Sequence, residues 1–364
     1  MLPIFILDDS PVPARYGISA SLWANQLGLP LWSLRPDFSG DFPDSHQHVI
    51  RAGYCVTSGL YLSDTLQQEV DDPTRLPTKD VVVVLAVSQA ERIAGLAGRR
   101  LFSCASADVL ELRDDNHALL LHLKADRFGR WLTSPTSEGE TPLCIGLIGR
   151  EADQRQVYPA TLAALGDAAT SLDVDLKVRF LSPATLSDDL HELTTLDAVV
   201  LPGGASMAAV AGQIRVAEAS LLPTLGLCLG MQSMATAAVR QSDGYQQAIL
   251  AEVAPDAPLH SFIAFNDSAH RCGVLPFAAS PLLPGDIHVM HYNHRYHFNP
   301  ALLPQLAANG VKISARTGDI VESISRPEAP FWHGVQGHPE LLSRPDAPHP
   351  LFTALLIAAL NQRG

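Results

Sequence analysis

A seven-residue segment in the second half of the chain constrains the fold most. Residues 224–230 read Thr-Leu-Gly-Leu-Cys-Leu-Gly, an apolar run with Cys228 between two glycines, and a helix-like segment follows. A strand that turns sharply into a helix needs small residues on both sides of the turn, which lifts one side chain clear of the sheet. The pattern predicts a nucleophile elbow with Cys228 at a helix N-terminus, where the helix dipole favours a thiolate.

A candidate base and its partner lie far downstream. Residues 336–340 read Gln-Gly-His-Pro-Glu, so His338 is followed two positions later by the carboxylate of Glu340. A thiol nucleophile requires a base to move its proton, and the base requires a third group to orient it. We therefore predict that Cys228, His338 and Glu340 form a catalytic triad.

Composition and charge limit the classes of partner. The chain has 364 residues, 47% hydrophobic and 17% charged, which is typical of a folded protein long enough for two domains. The net charge of −13 argues against non-specific binding to nucleic acid or to an anionic membrane. No apolar stretch is long enough to span a bilayer, and the first seven residues lack the basic character of a secretory signal. We expect a cytoplasmic protein.

The remaining cysteines and a histidine-rich segment predict no metal site. The other four cysteines are Cys55, Cys104, Cys144 and Cys272. The total is odd and no Cys-x-x-Cys pair occurs, so we expect reduced thiols buried in a core. His291, His294 and His297 recur every third residue, but in an extended segment this step places successive side chains on opposite faces. Structural or substrate-adjacent roles are expected for them.

A polar, turn-rich segment divides the chain. We predict an N-terminal α/β domain at 1–135, a linker at 136–142 and a second domain at 143–364. In the second domain short apolar strands alternate with helices, a pattern typical of a parallel sheet with helices on both faces. Four later segments predict hairpins added to one edge of that sheet: 287–298, 311–316, 320–325 and 332–335.

Five short strings carry a family resemblance over the second domain. They are Leu-Pro-Gly-Gly at 201–204, Leu-Gly-Leu-Cys-Leu-Gly-Met-Gln at 225–232, His-Arg-Tyr at 294–296, His-Pro-Glu at 338–340 and His-Pro-Leu-Phe at 349–352. In this order and spacing the domain resembles the class I glutamine amidotransferases, and is most similar to the glutaminase half of CTP synthase. The resemblance implies a mixed sheet flanked by helices, here preceded by a smaller α/β domain.

The resemblance also implies an activity and a set of residues. Cys228 would attack the side-chain amide of glutamine, form a γ-glutamyl thioester and release ammonia without a cofactor. The backbone N–H groups of Gly204 and Leu229 would form the oxyanion hole. The implied substrate-binding residues are Gly203, Gln232, Glu252, Arg295 and Tyr296. Among these, Glu252 would bind the α-amino group and Arg295 the α-carboxylate.

The chain departs from CTP synthase at several points. Residues 1–142 contain no Gly-x-x-x-x-Gly-Lys-Ser/Thr string and are too few for the ATP-dependent ligase domain, so we expect no synthetase activity. The loop after Gly204 lacks the arginine and the aromatic residue of the GTP-responsive lid, and Asn293 replaces another arginine. Activation by GTP is therefore not expected. Gly337 stands where the family has a bulky residue, which predicts a wider pocket.

Three functions remain open at this stage. The chain is a glutaminase that supplies ammonia to a separate synthetase, a free-standing hydrolase of γ-glutamyl amides or peptides, or a non-catalytic glutamine sensor. The expected ligand is L-glutamine or a γ-glutamyl compound, with no nucleic acid, membrane or metal, and a homodimer stays open. The N-terminal domain is either a structural docking domain or a binder of the acceptor or the synthetase.

Overall fold

The computed structural model describes residues 1–38, 40–42, 66–134, 139–204, 209–266 and 269–363. The chain divides into two compact units, one of Met1–Ser137 with Ala152–Ala163 and one of Glu138–Glu151 with Ala164–Gly364. The predicted linker at 136–142 lies partly outside the described residues, and its last two residues already belong to a strand. The domain limits given above stay predictions.

An eight-stranded sheet forms the described part of the first unit. Its strands are β1 (Ile4–Asp8), β2 (Leu31–Leu34), β3 (Leu66–Val70), β4 (Val82–Ala86), β5 (Arg99–Ser106), β6 (Val109–Asp114), β7 (Leu119–Ala125) and β8 (Trp131–Leu132). Their order in the sheet is β3-β2-β4-β1-β5-β6-β7-β8. Pairing is parallel from β3 to β5 and antiparallel from β5 to β8. Helix α1 (Ile18–Leu27) follows β1, and a 3-10 helix (Val87–Ile93) follows β4.

Both faces of the parallel part of this sheet are buried. Ile6 and Val84 belong to one hydrophobic cluster, whereas Phe5 and Val83 belong to another. Neighbouring residues of a strand point to opposite faces, so a continuous apolar run such as β4 is buried on both sides. The continuous apolar run in the sequence of β4 therefore follows from burial on both faces of the sheet.

The turn after β1 is held by its own carboxylates. Asp8 accepts hydrogen bonds from the backbone N–H groups of Ser10 at 2.9 Å and Gly17 at 3.0 Å. Asp9 accepts one from the N–H of Ala105 at 2.7 Å. These contacts make Asp8-Asp9-Ser10 a strand-end turn in which carboxylates accept hydrogen bonds from backbone N–H groups.

Twelve strands and six helices complete the described chain. The strands are β9 (Thr141–Leu147), β10 (Val174–Phe180), β11 (Ala198–Leu201), β12 (Thr224–Leu227), β13 (Ile249–Leu250), β14 (His260–Ala264), β15 (Arg271–Pro276), β16 (Val289–His294), β17 (Tyr296–Phe298), β18 (Lys312–Thr317), β19 (Ile320–Ser325) and β20 (Trp332–Val335). The helices are α2 (Glu151–Gln156), α3 (Ala160–Ser171), α4 (Val210–Ala219), α5 (Leu229–Arg240), α6 (Leu303–Ala308) and α7 (Pro350–Arg363). No helix of the described residues has both the length and the hydrophobicity needed to cross a membrane.

The main sheet of the second unit has the order β10-β9-β11-β12-β20-β19-β18. The first five strands in this order are parallel, and β19 and β18 add an antiparallel hairpin at the edge. The predicted edge position of 332–335 is wrong, because β20 lies between β12 and β19. Its ends, Trp332 and Val335, are almost fully buried, as an interior strand requires.

The predicted edge position of 287–298 is also wrong. Strand β16 from this segment pairs with β15 in a two-stranded sheet, and β17 pairs with β14 in a three-stranded sheet. Alternation of apolar and polar residues indicates strands but does not say which sheet they join. The separation matters for function, since Tyr296, which is expected to contact substrate, lies on β17, and Arg295 lies between β16 and β17.

Candidate active site

Cys228 lies in the sharp connection between β12 and α5. Its backbone has φ 47° and ψ −104°, a conformation that costs energy for a residue with a side chain. Its N–H donates to the carbonyl oxygen of Val335 at 2.8 Å, which ties the turn to β20. A Cβ on Gly230 would stand 1.9 Å from the carbonyl oxygen of Leu201, so only glycine allows α5 to begin this close to β11. The predicted elbow geometry is present.

His338 follows β20 and is oriented from two sides. Its Nδ1–H donates to Oε1 of Glu340 at 2.8 Å, and both side chains are buried. Its backbone N–H donates to the carbonyl oxygen of His291 on β16 at 2.7 Å. Because Nδ1–H is engaged in the hydrogen bond to the carboxylate, the other ring nitrogen, Nε2, is the one left for the nucleophile.

The charges of Cys228 and His338 are coupled. Burial alone lowers the pKa of His338, but a negative charge on Cys228 and the carboxylate of Glu340 raise it, including a hydrogen bond to each. The net pKa lies well above the ordinary value for histidine. The arrangement therefore favours an imidazolium at neutral pH beside the sulfur of Cys228.

Gly203 brings the turn after β11 against these two side chains. A Cβ on Gly203 would stand 3.0 Å from Cε1 of His338 and 3.4 Å from Cβ of Cys228. Gly204 follows, and Leu229 begins α5, where the first N–H groups have no acceptor within the helix. The oxyanion hole expected from the backbone N–H groups of Gly204 and Leu229 stays a prediction.

Two buried glutamine side chains connect to the sulfur. Nε2 of Gln336 is 3.6 Å from Sγ of Cys228 and donates toward it, and Oε1 of Gln336 accepts from Nε2 of Gln232 at 3.3 Å. Oε1 of Gln232 is buried and has no hydrogen-bond partner among the described residues. It is therefore an acceptor available to a donor group of a ligand.

Glu252, Arg295 and Tyr296 form a second group of predicted substrate residues. The residue Glu252 is exposed as a whole, but the protein partly buries its carboxyl group, and this burial raises its pKa. The positive charge of the Arg295 guanidinium opposes the shift. Burial and the charge of Glu252 raise the pKa of Tyr296, and Arg295 again opposes the shift. The three side chains thus lie within electrostatic reach of one another.

His270 and Asn293 hold Arg295. Nε2 of His270 lies 2.7 Å from Oδ1 of Asn293, and an Arg295 Nη2–H donates to Nδ1 of His270 at 3.2 Å. The amide oxygen of Asn293 accepts hydrogen bonds and cannot donate one, so Nε2 of His270 carries the proton and Nδ1 accepts from Arg295. Asn293 therefore fixes the tautomer that orients the guanidinium.

The histidines of β16 are neutral. Burial, together with the smaller effects of the His338 and Arg344 charges, lowers the pKa of His291 to about 3. Burial also lowers the pKa of His294 to about 3, although its Nδ1–H donates to the carbonyl oxygen of Tyr296 at 2.8 Å. Within the described ranges no group of three or more histidine, cysteine or acidic side chains is arranged to hold a metal ion.

Two expectations about individual residues are wrong. Cys104 and Cys272 are exposed and Cys144 is only half-buried, since each belongs to a strand with an outward face. Cys55 lies outside the described residues. A Cβ on Gly337 would stand 2.1 Å from Cγ of Met290, so β16 fills the space that a larger residue would take. Gly337 does not widen a pocket at that point.

Gln336 and His270 contact residues of the site, but neither is among the site residues predicted from the sequence. Gln336 directly follows β20 and lies two residues before His338, and this closeness in sequence to the predicted base is the signal that indicates a position near the site. His270 gives no such signal, because it lies in a loop far from Arg295 in sequence.

Comparison with known proteins gives one family. Residues 162–358 match the sequence model of the family described as glutamine amidotransferase class-I. The CTP synthase of Thermosynechococcus vestitus is 32% identical over 239 residues, which is 60% of this chain and 44% of that protein. The CTP synthase of Staphylococcus epidermidis is 31% identical over 241 residues, 60% of this chain and 45% of that protein. The chain thus spans less than half the length of these two relatives.

A solved structure shares the fold. The glutaminase domain of Trypanosoma brucei CTPS with bound acivicin has a TM-score of 0.55 and 23% sequence identity, covering 60% of this chain and 94% of that one. At this identity the likeness concerns the fold alone. It confirms the predicted mixed sheet flanked by helices.

Proposed function

The chain belongs to the class-I glutamine amidotransferase family, and from this premise we propose that it hydrolyses the side-chain amide of glutamine through a covalent intermediate on Cys228. Its second unit contains a glutaminase domain like that of CTP synthase. The observation that carries the proposal is the buried His338, coupled to Cys228 on one side and hydrogen-bonded to Glu340 on the other. This is the relay that thiol catalysis requires.

The first half-reaction releases ammonia. Sγ of Cys228 attacks the side-chain carbonyl carbon of glutamine, and the negative charge that develops on the oxygen is stabilised by the N–H groups of Gly204 and Leu229. The C–N bond then breaks as the imidazolium of His338 gives its proton to the departing amine. The products are ammonia and a γ-glutamyl thioester on Cys228.

The second half-reaction restores the enzyme. Neutral His338 takes a proton from a water molecule, whose oxygen attacks the thioester carbonyl. The C–S bond breaks, glutamate leaves, and the sulfur departs as the thiolate beside the re-formed imidazolium. Glu340 stabilises that positive charge and keeps the ring in the orientation that both steps need.

The second group of side chains suits the head group of an amino acid. The guanidinium of Arg295 can bind an α-carboxylate through two hydrogen bonds. The carboxylate of Glu252 is suited to an α-ammonium group, and the unpartnered Oε1 of Gln232 offers a further acceptor. Opposite charges for both ends of the head group favour glutamine over an ester or a plain amide.

The fate of the ammonia is part of the proposal. In the CTP synthases that this chain resembles, the matching region covers less than half of the protein. We propose that the ammonia released at Cys228 serves a synthetase carried on a separate protein. A glutamine-dependent product should then form only when that protein is present, whereas free ammonia should support the same product without Cys228.

Ammonia release from purified protein tests the glutaminase activity. Replacing Cys228 by alanine should lower the rate by about a thousandfold or more, and His338→Ala by a similar factor. Glu340→Ala should lower it least, because Glu340 acts through His338 and does not itself exchange a proton with the substrate. Cys104→Ala is the matched control, since this exposed cysteine belongs to the first unit. Equal rates for the wild type and the Cys228 variant would contradict the proposal.

Covalent labelling tests the thioester site directly. A glutamine analogue with an electrophilic carbon in place of the side-chain amide should modify Cys228 and leave Cys104 unmodified. Peptide mass spectrometry locates the label. A label that persists after Cys228→Ala, or one that glutamine does not suppress, would exclude Cys228 as the nucleophile.

A further inference from the structure

The thiol of Cys228 has a second polar neighbour besides His338. Nε2 of Gln336 donates toward Sγ at 3.6 Å, within the range of an N–H to sulfur hydrogen bond. Gln336 is fully buried, and Cys228 retains only 7% of its surface. A hydrogen bond to a charged atom is stronger in such an environment than in water, because water does not compete for it.

The backbone fixes Gln336 from both sides. Its own N–H donates to the carbonyl oxygen of Glu322 on β19 at 2.8 Å, and the preceding residue, Val335, accepts the N–H of Cys228 at 2.8 Å. Gln336 and Cys228 therefore stand at the carboxyl ends of adjacent parallel strands, β20 and β12, in a fixed register. The position of the amide does not depend on a mobile loop.

The neighbouring glutamine sets which end of the Gln336 amide faces the sulfur. Nε2 of Gln232, one helical turn after the nucleophile, donates to Oε1 of Gln336 at 3.3 Å. With its oxygen used in this way, the amide presents N–H to Cys228. In the reverse orientation, the NH2 group of Gln336 would face the NH2 group of Gln232, and the amide oxygen of Gln336 would face the thiolate of Cys228.

We propose that Gln336 is a further catalytic residue, which stabilises the thiolate of Cys228 by donating a side-chain N–H to it. The inference rests on the proposed role of Cys228 as nucleophile and adds a second donor to the pairing with His338. The same N–H holds the sulfur when it is regenerated as a leaving group at the end of the reaction. No bond to Gln336 forms or breaks, and the residue loses no proton.

The test compares two substitutions of similar size with a matched control. Gln336→Met keeps the volume but removes the donor, and Gln336→Glu keeps the shape but places an acceptor against the sulfur. Gln154→Met is the control, because Gln154 is also a buried glutamine and lies on α2, outside the contacts of Cys228. The rate at which iodoacetamide alkylates Cys228 is measured across pH by peptide mass spectrometry, together with kcat and KM for glutamine.

The expected result is a displaced pH profile. For Gln336→Met the profile should move to higher pH by about one unit, so that alkylation at neutral pH is about tenfold slower, the size expected for one hydrogen bond to a charged group. At high pH, where the thiol is fully ionised, the rate should equal that of the wild type. Gln336→Glu should move further in the same direction, kcat should fall in both variants, and KM should change little.

Several outcomes would overturn the inference. The first is a pH profile of Gln336→Met that matches the wild type, and the second is a profile that moves no further than the profile of Gln154→Met. The third is a lower alkylation rate at high pH with no shift of the profile along the pH axis. If Gln336→Met does not fold, the Gln336→Glu profile decides by the same criteria. Alkylation does not require glutamine, so a wild type without glutaminase activity would refute the proposed function while leaving the test of Gln336 intact.

Discussion

At the scale of single residues, the site depends on the imidazolium of His338, which interacts with the negative charges of Cys228 and Glu340. Burial acts against a charged His338, yet the carboxylate of Glu340 and the charge of Cys228 more than compensate and raise its pKa. The neighbouring His291 and His294 are neutral, because burial and the positive charges near them lower their pKa values to about 3. The difference among three buried imidazoles therefore comes from their anionic neighbours and not from burial.

Removal of the Cys228 charge should lower the pKa of His338. In Cys228→Ala the burial of the ring and the Glu340 carboxylate remain, while one of the two anionic contributions is lost. In the wild type the raised pKa keeps His338 protonated up to a pH well above the ordinary titration of histidine, and the stability that the imidazolium contributes persists over the same range. In the variant the imidazolium and its contribution to stability should be lost at a lower pH. NMR titration of the His338 ring measures this, with Cys104→Ala as control, and an unchanged titration in Cys228→Ala would show that the two groups are not coupled.

Loss of the His270 acceptor should weaken glutamine binding. Arg295 donates to Nδ1 of His270, so His270→Ala leaves the guanidinium without the contact that orients it. We expect KM for glutamine to rise by about three- to tenfold, with kcat nearly unchanged, because the proposed role of Arg295 is to bind the head group and not the reacting amide. His288→Ala, which alters an exposed histidine paired with Asp286, is the control. A fall in kcat at constant KM would contradict this role.

At the scale of elements, the sequence predicts what local patterns determine. Gly226 and Gly230 around Cys228 are sufficient to predict the elbow, and Pro339 and Glu340 after His338 indicate the relay. The contact between Gln336 and Cys228 was not predictable, because it depends on β20 pairing with β12, and the short apolar run of β20 was assigned to the edge instead. Register between strands distant in sequence is a property of the whole sheet.

Gly230 should be essential to the elbow for steric reasons. A Cβ there would stand 1.9 Å from the carbonyl oxygen of Leu201, and backbone cannot move aside as a flexible side chain can. Gly230→Ala should destabilise the fold by about 1–3 kcal/mol and lower ammonia release, since the start of α5 must shift. Gly95→Ala is the matched control, because no atom lies within 4 Å of the added Cβ. Chemical denaturation compares the two, and equal stabilities would show that the helix start tolerates displacement.

At the scale of the whole molecule, the two units were predictable to different extents. The strings that carry the family resemblance all lie in the second unit, so its fold and its family followed from the sequence and are confirmed. In the first unit, apolar runs such as β4 indicated an α/β fold, but not the antiparallel strands from β5 to β8. No residue pattern there indicates a chemical activity, and its role as a docking or acceptor-binding domain stays a prediction.

The first unit should become less stable as the pH rises, because of Glu69. Burial raises the pKa of Glu69 to about 7, although the Arg35 guanidinium donates to Oε1 at 3.0 Å and partly opposes the shift. Oε2 is buried without a hydrogen-bond partner in the part of the chain that the structure describes. The folded state therefore holds the carboxyl proton of Glu69 more tightly than the unfolded chain does. The stability that this protonated carboxyl contributes is full below about pH 4.5 and is lost as the pH rises through about 7.

Glu69→Gln isolates this effect, because glutamine stays neutral at every pH and keeps an oxygen for Arg35. Relative to the wild type, the variant should gain on the order of 2 kcal/mol of unfolding free energy between about pH 5 and about pH 8. Hydrogen exchange of the β2 and β4 amides measures the stability of this unit itself. Glu111→Gln is the opposite control: hydrogen bonds from Arg113 lower the pKa of Glu111, so its replacement should cost stability at the higher pH. A Glu69→Gln difference that does not vary with pH would mean that Glu69 is ionised in the folded state throughout this range.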